Sequence, residues 1–362
     1  MIENLIQEDR CKTTKSLTSI FLKSKNENFK YIILDINSLT VVPYISDYTY
    51  AVRRMTVTPA IRTIELYTKL KSIYPKSKFI FVVDNGISSK MKKIYPEYKG
   101  HRRHSMKSNL MLSLGESSNN AYRYNISLIG KFIIPLGEYF SIEPGEADFK
   151  IGYILKLLTE EYNVSPKDIL TIAGDKDLIL TTELSDFLFK SRTKNKGVVY
   201  YYFSKENFIC FSKLENVTIS SPKEYLYYKS LIGDKSDNIP SILTPKKALN
   251  FLQSLYEEKC EGFTYKDVVE KLNKLFKTEA ERKLKVNMFL TNLFVVNLFN
   301  DEIFSDSEKL QIVNNLKRYV INKEVEFDKE EILTYYKENL FNKGLGIIKE
   351  GILEFLNKVI FD

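Results

Sequence analysis

Three short apolar runs along the chain share one layout, each closing on an aspartate. Tyr31-Ile32-Ile33-Leu34 ends at Asp35, Phe79-Ile80-Phe81-Val82-Val83 at Asp84, and Ile169-Leu170-Thr171-Ile172-Ala173-Gly174 at Asp175. Runs this short, unalternating and rich in β-branched residues predict strands covered on both faces, and so a parallel sheet. Helical spacing fills the gaps. Pro59–Ile73 and Ala147–Glu161 are predicted helices, the second with Ala147, Ile151, Ile154, Leu155 and Leu158 along one face. Strand and helix in alternation predict an α/β fold, a mainly parallel twisted sheet flanked by helices. Phe187 to Phe203 reads as a hairpin turning at Asn195-Lys196-Gly197, with Val198–Phe203 at the sheet edge. After Ser221 the strand signal fades. Ser221-Pro222 starts a helix, Gly233 stops it, and residues 222–362 read as mostly helical. Residues 1–29, polar and weakly periodic, read as an appendage.

Composition narrows the class. The 362 residues carry 54 Lys+Arg against 46 Asp+Glu, a formal charge of +8, which favours an anionic partner without choosing nucleic acid over a membrane surface. The most apolar stretch, Phe289–Val296, is broken by Asn292 and followed by Asn297, so no membrane span is expected. Met1-Ile2-Glu3-Asn4 lacks the layout of an export signal. Cys11, Cys210 and Cys260 are odd in number and far apart, which suits a reducing, cytoplasmic compartment.

Parallel strands put their C-terminal ends on one edge, where open α/β sheets bind ligands. Asp35, Asp84 and Asp175 are expected there, with Asp177 two residues on. Gly145-Glu146-Ala147-Asp148 and Gly233-Asp234-Lys235-Ser236-Asp237-Asn238 add two acids each, making eight carboxylates from five segments. Singly, each is a reasonable cap or turn acid. Crowded together they repel, and each unpaired buried charge costs several kcal/mol. Hard oxygen ligands without His or Cys point to Mg²⁺ or Mn²⁺, and a pair of such ions suits in-line phosphoryl displacement.

Residues 90–104 hold Lys90, Lys92, Lys93, Lys99, Arg102 and Arg103 against the single acid Glu97, with Tyr95 and Tyr98 between them. A charge run is ordinarily a solvated face. Following a strand end that carries a candidate metal ligand, it is expected to draw a phosphate backbone inward and offer a ring to an unpaired base. His101 and His104 lack a third soft ligand and read as part of the basic patch.

Taken in order, Asp35, Val83-Asp84, Tyr95-Pro96-Glu97-Tyr98-Lys99-Gly100-His101-Arg102, Glu146-Ala147-Asp148, Gly174-Asp175-Lys176-Asp177-Leu178 and Gly233-Asp234-Lys235-Ser236-Asp237-Asn238-Ile239-Pro240 resemble the flap endonuclease / 5′–3′ exonuclease family over about residues 30–300. The phage ribonuclease H and phage flap endonuclease subgroup matches best. The resemblance implies a PIN-like core over 30–220 with a basic arch at about 86–125, and a helical duplex-binding region over 221–300. Residues 1–29 are then a polar extension and 301–362 a helical one. It implies one metal held mainly by Asp35, Asp84, Glu146 and Asp148, and a second by Asp175, Asp177, Asp234 and Asp237. Lys99 and Arg102 match phosphate-steering cations with a catalytic role, and Tyr98 an aromatic that stacks near the cut. Two departures stand out. Phe149 replaces a further acid of many bacterial members. After Ile239-Pro240, the glycine-free Ser241-Ile242-Leu243-Thr244-Pro245-Lys246-Lys247 replaces a Gly-rich hairpin, which puts the family's K⁺ site in doubt and assigns duplex contact to Lys246 and Lys247.

The function implied is a Mg²⁺- or Mn²⁺-dependent 5′ nuclease. It would act as a monomer on 5′-flap, nicked or RNA-primed duplexes during replication, leave 5′-phosphate products, and work beside a polymerase, single-strand-binding protein or clamp. The Lys-, Asn-, Ile- and Tyr-rich composition fits an AT-rich genome such as a phage's, hence host cytoplasm. The rival readings are a PIN-type endoribonuclease acting on structured RNA and a non-catalytic nucleic-acid-binding scaffold.

Overall fold

The computed structural model describes residues 12–14, 29–41, 57–100, 122–193, 197–214, 217–259, 262–321 and 328–361. The three apolar runs are strands as predicted: β2 (Tyr31–Asp35), β3 (Lys78–Val82) and β5 (Ile169–Ala173), with β2 in parallel register between the other two. Their near-total burial explains the missing alternation. Ile33, Ile80 and Val82 face one core, whereas Ile32, Leu34, Phe79, Phe81, Leu170 and Ile172 face the other.

Among the described residues the sheet has seven strands in the order β1-β7-β6-β5-β2-β3-β4. The predicted hairpin is β6 (Asp186–Thr193) with β7 (Gly197–Phe203), antiparallel from Phe187↔Phe203 to Thr193↔Gly197; its turn residues Asn195 and Lys196 lie outside the described residues. Two strands were not legible. β4 (Tyr139–Ser141) adds in parallel beyond β3. β1 (Lys12–Thr14), inside the supposed appendage, pairs Lys12 with Tyr202 and Thr14 with Tyr200, so β7 is not the sheet edge. Three residues are too few to show a period.

One face is covered by α4 (Ala147–Lys156), which continues through a wider turn to Glu161, and by helices after Ser221. These include α6 (Pro222–Ile232), α7 (Pro245–Lys259), α9 (Glu279–Val296) and α10 (Asp306–Ile321). Ser221 caps α6 by accepting from the Glu224 amide, with Pro222 in the first turn, as predicted. The other face takes α1 (Thr58–Ile73), a helix over 122–133, and the C-terminal α11 (Lys329–Asn339) and α12 (Lys349–Phe355). Tyr336, Ile352 and Phe355 are buried there beside Tyr67 and Phe132, so the C-terminal segment completes this core. Among the described residues no helix is long and apolar enough to cross a membrane.

Candidate functional site

Asp35, Asp84 and Asp175 stand at or just beyond the C-terminal ends of β2, β3 and β5. Each also performs a local turn or cap function. Asp35 Oδ1 accepts from the Ser38 amide at 3.2 Å, Asp84 Oδ1 from the Gly86 amide at 2.9 Å, and Asp175 Oδ1 from the Asp177 amide at 2.9 Å. Glu146 and Asp148 open α4, which follows β4 to the same edge. Gly174 lets β5 close on the loop after β2: a Cβ there would stand 2.6 Å from Ser38 O, while its amide donates to Ser38 Oγ at 2.8 Å.

The second string folds into a tight loop after α6. Gly233 has φ +68°, and a Cβ on it would lie 2.5 Å from Ile239 O and 2.6 Å from Pro240 O, so only glycine fits. The loop closes through reciprocal backbone bonds between Asp234 and Ile239, and Asp234 Oδ1 accepts from both Ser236 N and Oγ at 2.7 Å. This loop docks on the other distinctive string. Lys99 N donates to Asp237 O at 3.0 Å, Asn238 Nδ2 to Glu97 O at 2.9 Å, and Tyr95 OH to Asn238 O at 2.8 Å. A cavity of about 40 Å³ is left between the two strings and α4, lined by Tyr98, Asp148, Asp177, Lys229, Asp234 and Asp237 among others.

Charge is only partly balanced at this edge. Lys99 pairs with Glu146 and lies 3.9 Å from Asp237; Lys229 Nζ donates to Asp177 at 2.9 Å and Asp234 at 3.2 Å. Burial would lower both ammonium pKa values, but the neighbouring carboxylates outweigh it and raise them. Burial likewise pushes Asp234 upward, yet the Ser236 hydrogen bonds and the Lys229 charge hold it below the usual range. At the inner acids burial and like charge prevail over the lysines. Asp35 is pushed up to about 7, chiefly by burial, with the charges of Asp175 and Asp84 adding to it. Asp148 is raised well above its ordinary value by burial and then by Asp175, Asp35 and Glu146. Burial also raises Asp175 and, despite Lys99, Glu146. Two buried oxygens, Glu146 Oε2 and Asp177 Oδ1, have no hydrogen-bond partner among the described residues.

As they stand, no three His, Cys, Asp or Glu side chains among the described residues are gathered tightly enough to enclose an ion. The donor set nonetheless fits a hard divalent cation: all oxygen, two buried oxygens unpartnered, and ionisation opposed by burial and like charge.

Within the basic segment, α2 (Ser89–Ile94) leaves Lys92 and Lys93 exposed and Lys90 half-buried. Arg102 and Arg103, with His101 and His104, lie outside the described residues. Tyr98 differs from its expected part: only 7% exposed, it donates to Asp237 Oδ2 at 3.3 Å and lies beneath the Lys99 ammonium, leaving no open face for stacking. Lys246 and Lys247 are exposed at the start of α7. In the preceding turn, the Ile242 and Leu243 amides both donate to Leu231 O, so these two donors are spent within the protein.

Sequence reading missed four supporting residues. Lys229 sits five residues before Asp234 on an otherwise ordinary helix. Asn37 Oδ1 accepts from the Asp84 amide at 2.9 Å, its Nδ2 donates to Tyr122 OH at 3.1 Å, and Tyr122 OH donates to Asp84 O. Lys150, a fully buried residue of α4, donates to Glu143 O at 2.8 Å and Ser141 O at 3.3 Å; burial lowers its pKa to about 8. A buried lysine on a helix of apolar period was the one signal available in advance.

Sheet, acid edge and docked loop define a PIN-like 5′-nuclease fold. Solved structures share it: the T5 5′-exonuclease with bound zinc aligns at a TM-score of 0.53 and 16% identity over 86% of this chain and 99% of that one. A bacteriophage T5 flap endonuclease in complex with DNA and metal ions aligns at 0.53 and 17% identity, over 86% and 98%. In sequence, the chain is 26% identical to DNA polymerase I of Streptococcus pneumoniae over 167 residues, 46% of this chain and 16% of the polymerase. DNA polymerase I of Lactococcus lactis matches at 26% over 193 residues, 52% of this chain and 19% of that protein. The chain thus aligns with less than a fifth of these curated relatives' length. No protein-family model matches. The chain resembles the flap endonuclease / 5′–3′ exonuclease family in sequence and has its fold.

Proposed function

We propose that the chain is a divalent-metal-dependent 5′ nuclease that hydrolyses phosphodiester bonds near the 5′ ends of flapped, nicked or RNA-primed duplexes. The observation that carries this reading is the set of acids drawn from five segments to one sheet edge, with the inner ones raised by burial and by one another's charge despite Lys99 and Lys229. Asp35, Asp84, Glu146 and Asp148 would hold one ion; Asp175, Asp177, Asp234 and Asp237 would hold a second, some through water. When bound, such ions supply Lewis-acid stabilisation of charge at the attacking and leaving oxygens.

The chain's own groups do the rest. Lys99 neutralises Glu146, and with Arg102 its ammonium would bind the scissile phosphate. Lys229 holds Asp177 and Asp234 together, and its ammonium there would oppose the binding of a cation by those two acids. Asn37 and Tyr122 fix the backbone at Asp84. Lys90, Lys92, Lys93 and Arg103 draw in single-stranded backbone; the helices after residue 221, with Lys246 and Lys247, grip the duplex. Docking of the Gly233–Pro240 loop onto Tyr95–Lys99 gives that string a role the endoribonuclease reading leaves unused.

Cleavage of a panel of flap, nicked, RNA-primed and single-stranded RNA substrates tests the reading. Junction cutting with 5′-phosphate products is expected. Preference for single-stranded RNA over every DNA junction would favour the ribonuclease instead.

A further inference from the structure

Beside the acid edge, on the face closed by the C-terminal helices, lies a cavity of about 470 Å³ whose wall includes Asp84. That volume is within the range that holds a small-molecule-sized group. Its lining is mostly apolar and strongly aromatic, with Tyr122, Phe140 and, from α11, Tyr335. Gly130 permits the close fit of one wall, since a Cβ there would meet the Phe140 ring at 3.0 Å. Ile134 and Ile142, also lining, are 58% and 54% exposed, bare apolar surface at the mouth. Arg123 and Lys131 complete the site, and neither is in an ion pair among the described residues.

Rings, bare aliphatic surface and two cations together complement an unpaired nucleobase and its phosphate. Every base offers a π face for stacking, while a paired base inside a duplex cannot enter. A sugar–phosphate backbone alone would leave the apolar walls unused. We propose that this cavity is a stacking site for an unpaired base of the strand being cut, with Arg123 and Lys131 on the adjoining phosphates. The proposal rests on the nuclease reading and adds to it a site outside the acid cluster, built partly by the C-terminal segment.

The test uses the full chain in chelator and a 5′-flap duplex carrying 2-aminopurine at successive unpaired positions. Stacking should quench fluorescence at one or two of them. Tyr335→Ala, which removes a wall, and Ser127→Trp, which fills the cavity from the exposed side of its helix, should each restore the fluorescence. Each should also weaken flap binding about fivefold or more and leave binding of a fully paired duplex unchanged. Ser127→Trp keeps the test open if Tyr335→Ala loosens the core. Quenching that persists in a folded variant overturns the proposal. Flap cleavage by the unaltered chain in Mg²⁺ separates the outcomes: cutting with quenching unaffected by either variant removes the stacking site alone, whereas a chain that neither binds nor cuts DNA removes the nuclease reading as well.

Discussion

The inner acids make a definite prediction about stability and pH. Asp35 has a pKa of about 7 in the fold, against an ordinary value of 3.8. Between those values the folded chain holds a proton that the unfolded chain has released, so raising the pH favours unfolding. The stabilisation is complete below about pH 4 and lost as pH rises through about 7. For Asp35 alone the loss approaches about 4 kcal/mol, about 3 of it between pH 5 and 7.5. Asp148, Asp175 and Glu146 are shifted the same way and add to it. Against a typical stability of about 5–15 kcal/mol this is a large share. A divalent ion held by the ionised acids would oppose the trend, contributing about 2.7 kcal/mol at a hundredfold excess over its Kd, and more at high pH than at low. Urea denaturation followed by circular dichroism at pH 5, 6, 7 and 8, in chelator and in excess Mg²⁺, checks this. Stability in chelator should fall with pH, and the Mg²⁺ increment should grow. Chelated stability that is flat or rising from pH 5 to 7.5 would refute the electrostatic account of the site.

Three substitutions probe the supports. Lys229→Met strips the buried cation from Asp177 and Asp234; it should cost about 3 kcal/mol in chelator and increase the Mg²⁺-induced rise in Tm, and thermal melts with an unchanged Mg²⁺ response would contradict the role given to Lys229. Tyr122→Phe removes one hydroxyl from the Asp84 backbone and should cost only about 1 kcal/mol, with kcat on a flap substrate falling about tenfold and KM little changed; steady-state kinetics with both parameters intact would exclude a positioning role. Gly233→Ala forces a Cβ against two carbonyls at positive φ and should destabilise by about 2–4 kcal/mol, measured as a lower urea midpoint.

What could be read in advance followed from long-period signals. Three strands buried on both faces left unalternating runs, and a parallel sheet then sent their terminal aspartates to one edge. Strands of three residues carry no such signal, which is why Lys12–Thr14 and Tyr139–Ser141 were invisible. The shared edge of these acids was legible because strand direction dictates it; the residues that contact them were not. Lys229 reaches Asp177 across 52 residues and Tyr122 reaches Asp84 across 38, distances over which the local sequence carries no mark. Tyr98 shows the opposite failure. A tyrosine within a basic run suggests an open stacking ring, but packing against Asp237 and Lys99 buries it.

The most direct test of the central claim is cleavage of a 5′-flap duplex by the unaltered chain and by Asp175→Asn, with Mg²⁺, with Mn²⁺ and in chelator. The account predicts cutting near the junction that needs the divalent ion and falls by orders of magnitude in the variant. A properly folded chain inactive with both ions, or equally active in chelator, would contradict it.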